Sequence, residues 1–332
     1  NSVLPTLIPT ASYYLTLEPN SGIHTFNGGI IVDRNLYAGS GSTIQLDNGN
    51  LLIGNVADRN FVYSSGSQIT INNAQLSIAG AFLRFVPTAT TNISINHPNS
   101  SVIVGRIGYT GIDPTFDLQN SGSVLNMNTG RIIVVTGNII STSYINISAT
   151  GGSGITGGDI QLGDSSLAIS SHPFKFSGST PIYNLHLVND AAETANYVSR
   201  LAALEYIVKN DIIVDKKQDL DFNGNVLTLQ GNLIVHGKVT ATPSSPSSLS
   251  WKMVLNGSGD QYIRNYNSMH PAIEIYSLRI NKNSGNIILG GGGSTHSNLK
   301  INDHLEFLGS NNAFIDSRTN NFKVLVGPNS AN

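Results

Sequence analysis

Three aspartates, Asp215, Asp219 and Asp221, stand within a seven-residue stretch, and the last two are spaced i, i+2. That spacing puts both side chains on one face of an extended strand. Paired carboxylates on one face supply the hard oxygen ligands that Ca2+ takes, or an acid and a base for breaking a glycosidic bond. Lys216 and Lys217 adjoin them in the chain and can neutralise them. The competing reading is a solvated turn followed by an outer strand face, with no chemistry at all.

Other reactive side chains are thinly spread. The histidines His24, His97, His172, His186, His236, His270, His296 and His304 show neither H-x-H nor H-E-x-x-H spacing, so surface and loop positions are their default. Neither a G-x-S-x-G elbow nor a Walker-type phosphate loop is present. The glycine runs at 151–154 and 290–293 lack the periodic Asp of calcium-binding nonapeptide repeats and read as loops. Thr88-Ala89-Thr90 and Thr240-Ala241-Thr242 do not recur coil after coil, which argues against an ice-binding ladder. Asn-x-Ser/Thr triplets at Asn92, Asn99, Asn146 and Asn256 are what so Asn- and Ser-rich a chain gives by chance. Tyrosine is more telling: 12 tyrosines accompany the single Trp251. Set along a flank, such rings stack on sugars or on a partner protein, the remainder serving as edge packing.

The background to these residues is unusual. Only 11% of the 332 residues are charged, against roughly 25% in an average globular protein. A highly charged disordered chain is thereby excluded. The net charge of -2 leaves no basic footprint for nucleic acid and no polybasic segment for an anionic membrane. There is no cysteine for disulfides or thiolate metal sites, and no apolar run approaches the roughly 18 residues of a membrane span. The opening Asn1-Ser2-Val3-Leu4-Pro5 lacks the basic and apolar regions of a signal peptide, so an exported protein would be present here in a mature or excised form.

The elements that position these residues repeat. Triplets with a polar middle residue end at Leu46, Ile71, Ile95 and Leu118, spaced 25, 24 and 23 apart. A second series ends at Ile53, Ile78, Val104 and Met127, spaced 25, 26 and 23. Phe222 and Leu229 show the same short offset later in the chain. Strands this short bury too little alone, but stacked coil on coil they form continuous apolar columns. Gly-Asn followed by two apolar residues occurs at Gly49, Gly137, Gly224, Gly231 and Gly285, each reading as a corner that leads into a strand. These features predict an all-β fold, a right-handed parallel β-helix (β-solenoid) of about 24 residues per coil. Asn and Thr on its surface can bond to their own kind in neighbouring coils, where stacked like charges would repel.

One continuous solenoid over residues 1–332 is expected, with residues 1–14 as a cap or inter-subunit arm and 240–250 as a Pro/Ser loop. Residues 190–203, rich in Ala and Leu, have the only helix-friendly composition. A short helix is one reading there, and a long loop feeding a strand at 204–208 is the other.

Three segments carry a resemblance. They are Phe174–Gly178 followed by Ile182–Leu187, then Leu220–Val235, and finally Val254–Ile263 leading to Tyr276–Lys282. Their pattern, F-N-G-x-G-x-Q-x-I with Y-x-L-x-I-N and L-x-L-x-G-N-L-x-V, resembles the repetitive surface proteins of Bacteroidetes-type bacteria. Those are adhesins and filament-like proteins exported by the type IX route, some serving gliding. The likeness is best over residues 174–301 and supplies corner and core residues, with no catalytic residue to carry over. No sorting domain is recognisable after Val326, so the expectation is a processed chain or a piece of a longer one. The resemblance implies an extracellular or cell-surface structural or adhesive module without catalysis or cofactor. Its partners would be surface glycans, other surface proteins, or copies of itself joined end to end. The alternatives are a polysaccharide lyase or glycoside hydrolase using Asp219 and Asp221, with or without Ca2+, and a glycan-binding protein with a tyrosine-lined flank.

Overall fold

A computed structural model of the chain describes residues 2–4, 15–17, 22–54, 59–105, 115–135, 144–149, 154–163, 174–189, 197–202, 205–240, 253–267, 269, 272–290, 298–308, 314–317 and 323–327. It divides into two compact units, residues 1–180 and 181–332. Among the described residues each is built of strands joined by turns, without helix. Pairing is parallel throughout, and successive coils stack about 25 residues apart as a β-solenoid.

In residues 1–180 each coil has three strands. Ile23–Val32 and Thr43–Ile53 each run through a corner and serve two faces, with a register shift between Asn27 and Gly29. In later coils the corner separates two strands, Ser67–Asn72 from Gln75–Ile78 and Thr91–Ile95 from Ser101–Val104. The corner is tight because Gly28 has φ 94° and a Cβ on Gly49 would strike the Gly28 backbone. Leu36–Ala38, Phe61–Tyr63, Phe82–Arg84, Thr115–Leu118 and Tyr144–Ile147 make the third face.

The inward positions form three columns. Phe26, Leu46, Ile71, Ile95 and Met127 align on one face. Val32, Ile53, Ile78, Val104, Val134 and Leu162 align on the next. Leu36, Phe61, Phe82, Phe116 and Ile145 make the third. In it the phenyl rings stack at 5.0 and 5.1 Å between centroids, close to the strand spacing. The sequence pattern therefore needs a correction. Leu118 and Met127 are fully buried, but Met127 continues the column of Leu46, and Leu118 belongs to the phenylalanine face. The reason is coil length: Ile95 pairs with Met127, a step of 32 residues, so a fixed period of 24 slips by one strand there.

Neutral polar ladders accompany the columns. Ser42, Ser67, Thr91 and Ser123 are fully buried at or just before the start of the first-face strands. The Ser67 hydroxyl donates to Thr91 Oγ1 at 2.9 Å, and Ser123 Oγ accepts from the Thr91 amide. At the outer corner Asn73 Nδ2 donates to Asn48 Oδ1 at 2.7 Å, and Asn99 Nδ2 to Asn73 Oδ1 at 3.1 Å.

Residues 181–332 repeat the three-faced plan. Asn184–Leu187, Ile212–Val214, Leu233–Val235, Gln261–Asn265 and Ile287–Gly290 stack on one face. Tyr197–Leu201, Gln218–Asp221 and Lys238–Thr240 form a second. Glu205–Val208, Val226–Leu229, Met253–Leu255, Ala272–Asn281, Asn298–Leu308 and Val324–Val326 form the third. Phe222 and Leu229 are buried, as the pattern requires. Residues 197–201 are strand, so both the helix and the loop reading fail there: Ser199 and Leu201 are buried while Val198 and Arg200 are half-buried on the other face, and the strand pairs with Gln218–Asp221; 190–196 lie outside the described residues. Most of the Pro/Ser loop, 241–250, also lies outside them.

One buried cation ties three coils together here. Lys282 is fully buried, and its ammonium donates to Gly257 O and Gly259 O at 2.7 Å and to Gln261 Oε1 at 2.8 Å. Gln261 Nε2 in turn donates to Leu229 O and Gly231 O. Burial pulls Lys282 below the ordinary lysine value, with Asp260 opposing.

Candidate functional site

In the second unit the turn after the first-face strand recurs in three coils. Val214 pairs with Val235 and Val235 with Asn265, so Asp215, His236 and Tyr266 follow one another up the corner. The steps are 21 and then 30 residues, the third coil being the longer. Unequal coils leave a cleft of about 300 Å³ lined by Lys216, Lys217, Asp219, His236, Lys238 and Tyr266, with Asn267 and Met269 also along its wall.

Each wall residue has a local cause. The Asp215–Gln218 turn closes with the Gln218 amide donating to Asp215 O at 3.1 Å, and Lys217 sits at φ 65°. Gly237 lies on the floor, where a Cβ would strike the carbonyls of Asp215 and Gln218. Gln218 and Leu220 point inward and are buried, which turns Asp219 outward. His236 and Tyr266 stack with centroids 4.7 Å apart and planes 10° from parallel. The Asn267 side chain donates to Gly237 O, clamping the third coil to the second.

The electrostatics are lopsided. Asp219 accepts from the Thr240 hydroxyl at 2.9 Å and lies 3.8 Å from the Lys238 ammonium. Among the described residues Lys216 and Lys217 make no ion pair with an acid. Burial lowers the His236 pKa below its ordinary value, while Asp215 partly opposes and Lys216 and His186 add to the lowering. The ring is therefore neutral at pH 7.

The three candidate aspartates part company. Asp215 faces His186, whose Nε2 lies 3.2 Å from Asp215 Oδ1. Asp221 is buried, takes Arg200 Nε at 2.9 Å and accepts from the Asn223 amide at 2.8 Å. Only Asp219 reaches the cleft. Asp219 and Asp221 thus differ in partners, Asp221 being held by Arg200 and the Asn223 amide, and no group of three or more residues suited to a metal occurs among the described residues.

The tyrosines divide likewise. Tyr63 and Tyr206 are core residues whose hydroxyls burial pushes well above the ordinary value, and the Tyr63 hydroxyl donates to Asp117 O at 2.8 Å. Tyr262 carries the Arg264 guanidinium 4.6 Å above its ring. Tyr266, 37% exposed, is the one that lines the cleft.

His236, Lys238, Tyr266 and Met269 escaped sequence reasoning because unequal steps hide their alignment. One signal was available: Asp211-Ile212-Ile213-Val214-Asp215 and Asn232-Leu233-Ile234-Val235-His236 are variants of one phrase. Two other hollows, in the first unit, are lined by residues such as Ile31, Leu52, Ser77 and Ile103 and contain no titratable group. Compared with known protein families, curated proteins and solved structures, the chain finds no significant match.

Proposed function

We propose that this chain is a structural and adhesive β-solenoid module, working at the cell surface or outside the cell, that holds glycan in the second-unit cleft and does not turn it over. The observation that carries this reading is the composition of the cleft wall. An exposed aromatic stack offers a platform for the flat apolar face of a sugar, and lysines with a single carboxylate offer donors and an acceptor to its hydroxyls. A hydrolase of the two-carboxylate kind needs a second acid beside Asp219, and Asp221 is engaged by Arg200. The resemblance of residues 174–301 to bacterial surface repeats agrees with the adhesive reading.

The test is a broad glycan panel on which retention and product formation are read together. Retention without products is expected; retention of nothing overturns the adhesive reading, and products that vanish in Asp219→Asn establish the enzymatic one.

A second role, stacking of copies end to end, is favoured by a separate observation. The apolar column of Leu255 and Ile280 continues to Phe307, which is 50% exposed, and that of Ile275 and Ile301 to Val326, 43% exposed. Buried core positions left half open invite another coil. Sedimentation at increasing concentration should show assemblies that Phe307→Glu dissolves; a monomer at every concentration removes this role.

A further inference from the structure

We propose that the cleft selects an acidic saccharide, its carboxylate or sulfate held by Lys216 and Lys217 while a sugar ring lies against the His236–Tyr266 stack. This rests on the reading of the cleft as a glycan site and names the class of glycan.

The charge count points there. Three lysines line the cleft against one aspartate. Lys238 and Asp219 offset each other at 3.8 Å, so among the described residues the charge without an ion pair belongs to Lys216 and Lys217. These two are neighbours on a closed turn whose second lysine holds φ 65°, a region that costs any residue but glycine. The turn hydrogen bond fixes the backbone of this segment, and both lysines line the cleft. Gly237 lets the next coil's backbone approach the carbonyls of this turn, where a Cβ would strike them.

The rings argue for a sugar over a simple anion. A phosphate ion makes no use of a stack whose planes are 10° from parallel, nor of Met269, which is 74% exposed at the same wall. A pyranose presents an apolar face to the stack and hydroxyls to the Asp219 carboxylate. An added carboxylate or sulfate then reaches the paired lysines.

Calorimetric titration of the whole chain tests this. The probes are oligogalacturonate and its fully methyl-esterified form, a sulfated dextran oligomer and its unsulfated parent, and polyglutamate as competitor. One or both acidic sugars should bind at least about tenfold more tightly than the neutral counterpart, which also tells carboxylate from sulfate. The K216Q/K217Q double variant should lose about tenfold for the acidic sugar alone, as expected for two exposed ion pairs. Tyr266→Ala should weaken it too, and the thermal midpoint of each variant, unchanged at these exposed sites, reports that it is folded. If neutral and acidic sugars bind equally and Tyr266→Ala weakens both, the charge selection is wrong and the glycan reading stands. If no sugar binds, both fall. If polyglutamate competes equally at matched charge, or K216Q/K217Q binds as the parent does, the acidic-saccharide assignment is overturned.

Discussion

Two corners of this molecule, one in each unit, do different work. In the first unit the corner column is Asn48, Asn73 and Asn99, one residue type at steps of 25 and 26, each side chain bonded to the next. In the second it is Asp215, His236 and Tyr266, three residue types at steps of 21 and 30. Where coils keep one length, identical amides satisfy one another and the surface closes over. At the second corner the coil length changes, no such amide ladder joins the three residues, and unlike side chains face a cleft. Regularity builds the scaffold, and its interruption builds the site.

The strongest way to break the regular side is to empty its aromatic column. Phe82→Ala removes the ring between Phe61 and Phe116, and should cost about 3–5 kcal/mol, read as a lower denaturant midpoint. A loss under about 1 kcal/mol would mean that the column is not a packed core.

The irregular side has its own buried anchor. Lys282→Met keeps the stem but takes the ammonium donor from the Gly257 and Gly259 carbonyls, while the Gln261 amide oxygen keeps the Gly257 amide, at about 3 kcal/mol. Hydrogen exchange should rise in residues 256–261 more than in the Gln218–Asp221 strand; uniform loosening would show that Lys282 is not a local tie.

Asn73→Ala severs both ladder bonds and puts alanine at φ 49°, so about 1–2 kcal/mol is expected from the melting curve. Asn73→Gly keeps the turn while losing the bonds and should be milder. Equal costs would assign the whole effect to the amides.

The smallest effect is one of pH. His236 has a lowered pKa in the folded chain, so below about pH 6.5 the unfolded state binds more protons. Stability contributed by the neutral ring is present above that point and is lost as pH falls through the folded value. His236→Gln should melt with less change between pH 7.5 and 5.5 than the parent; an identical pH response would show that other groups set it.

How legible all this was follows from the same comparison. Leu46, Ile71 and Ile95 could be aligned by eye because their coils are nearly equal. The assignment slipped at Met127, after a step of 32, and the phenylalanine face went unseen since its strands are short and follow loops of varying length. Of the Gly-Asn corners, Gly224 and Gly285 hold φ 72°, a Cβ at Gly49 or Gly231 would strike neighbouring backbone, and Gly137 lies outside the described residues. Of the site, only Asp219 with its two neighbouring lysines was in view. His236 and Tyr266 meet it through register, which composition does not encode.

The cleft as the place of glycan capture is tested most directly by imidazole NMR of the intact chain during titration with oligogalacturonate. The account predicts that the His236 resonances move with saturation of binding, while those of His24, His97 and His304, none of which lines the cleft, stay in place. Saturable binding with His236 unmoved would contradict it.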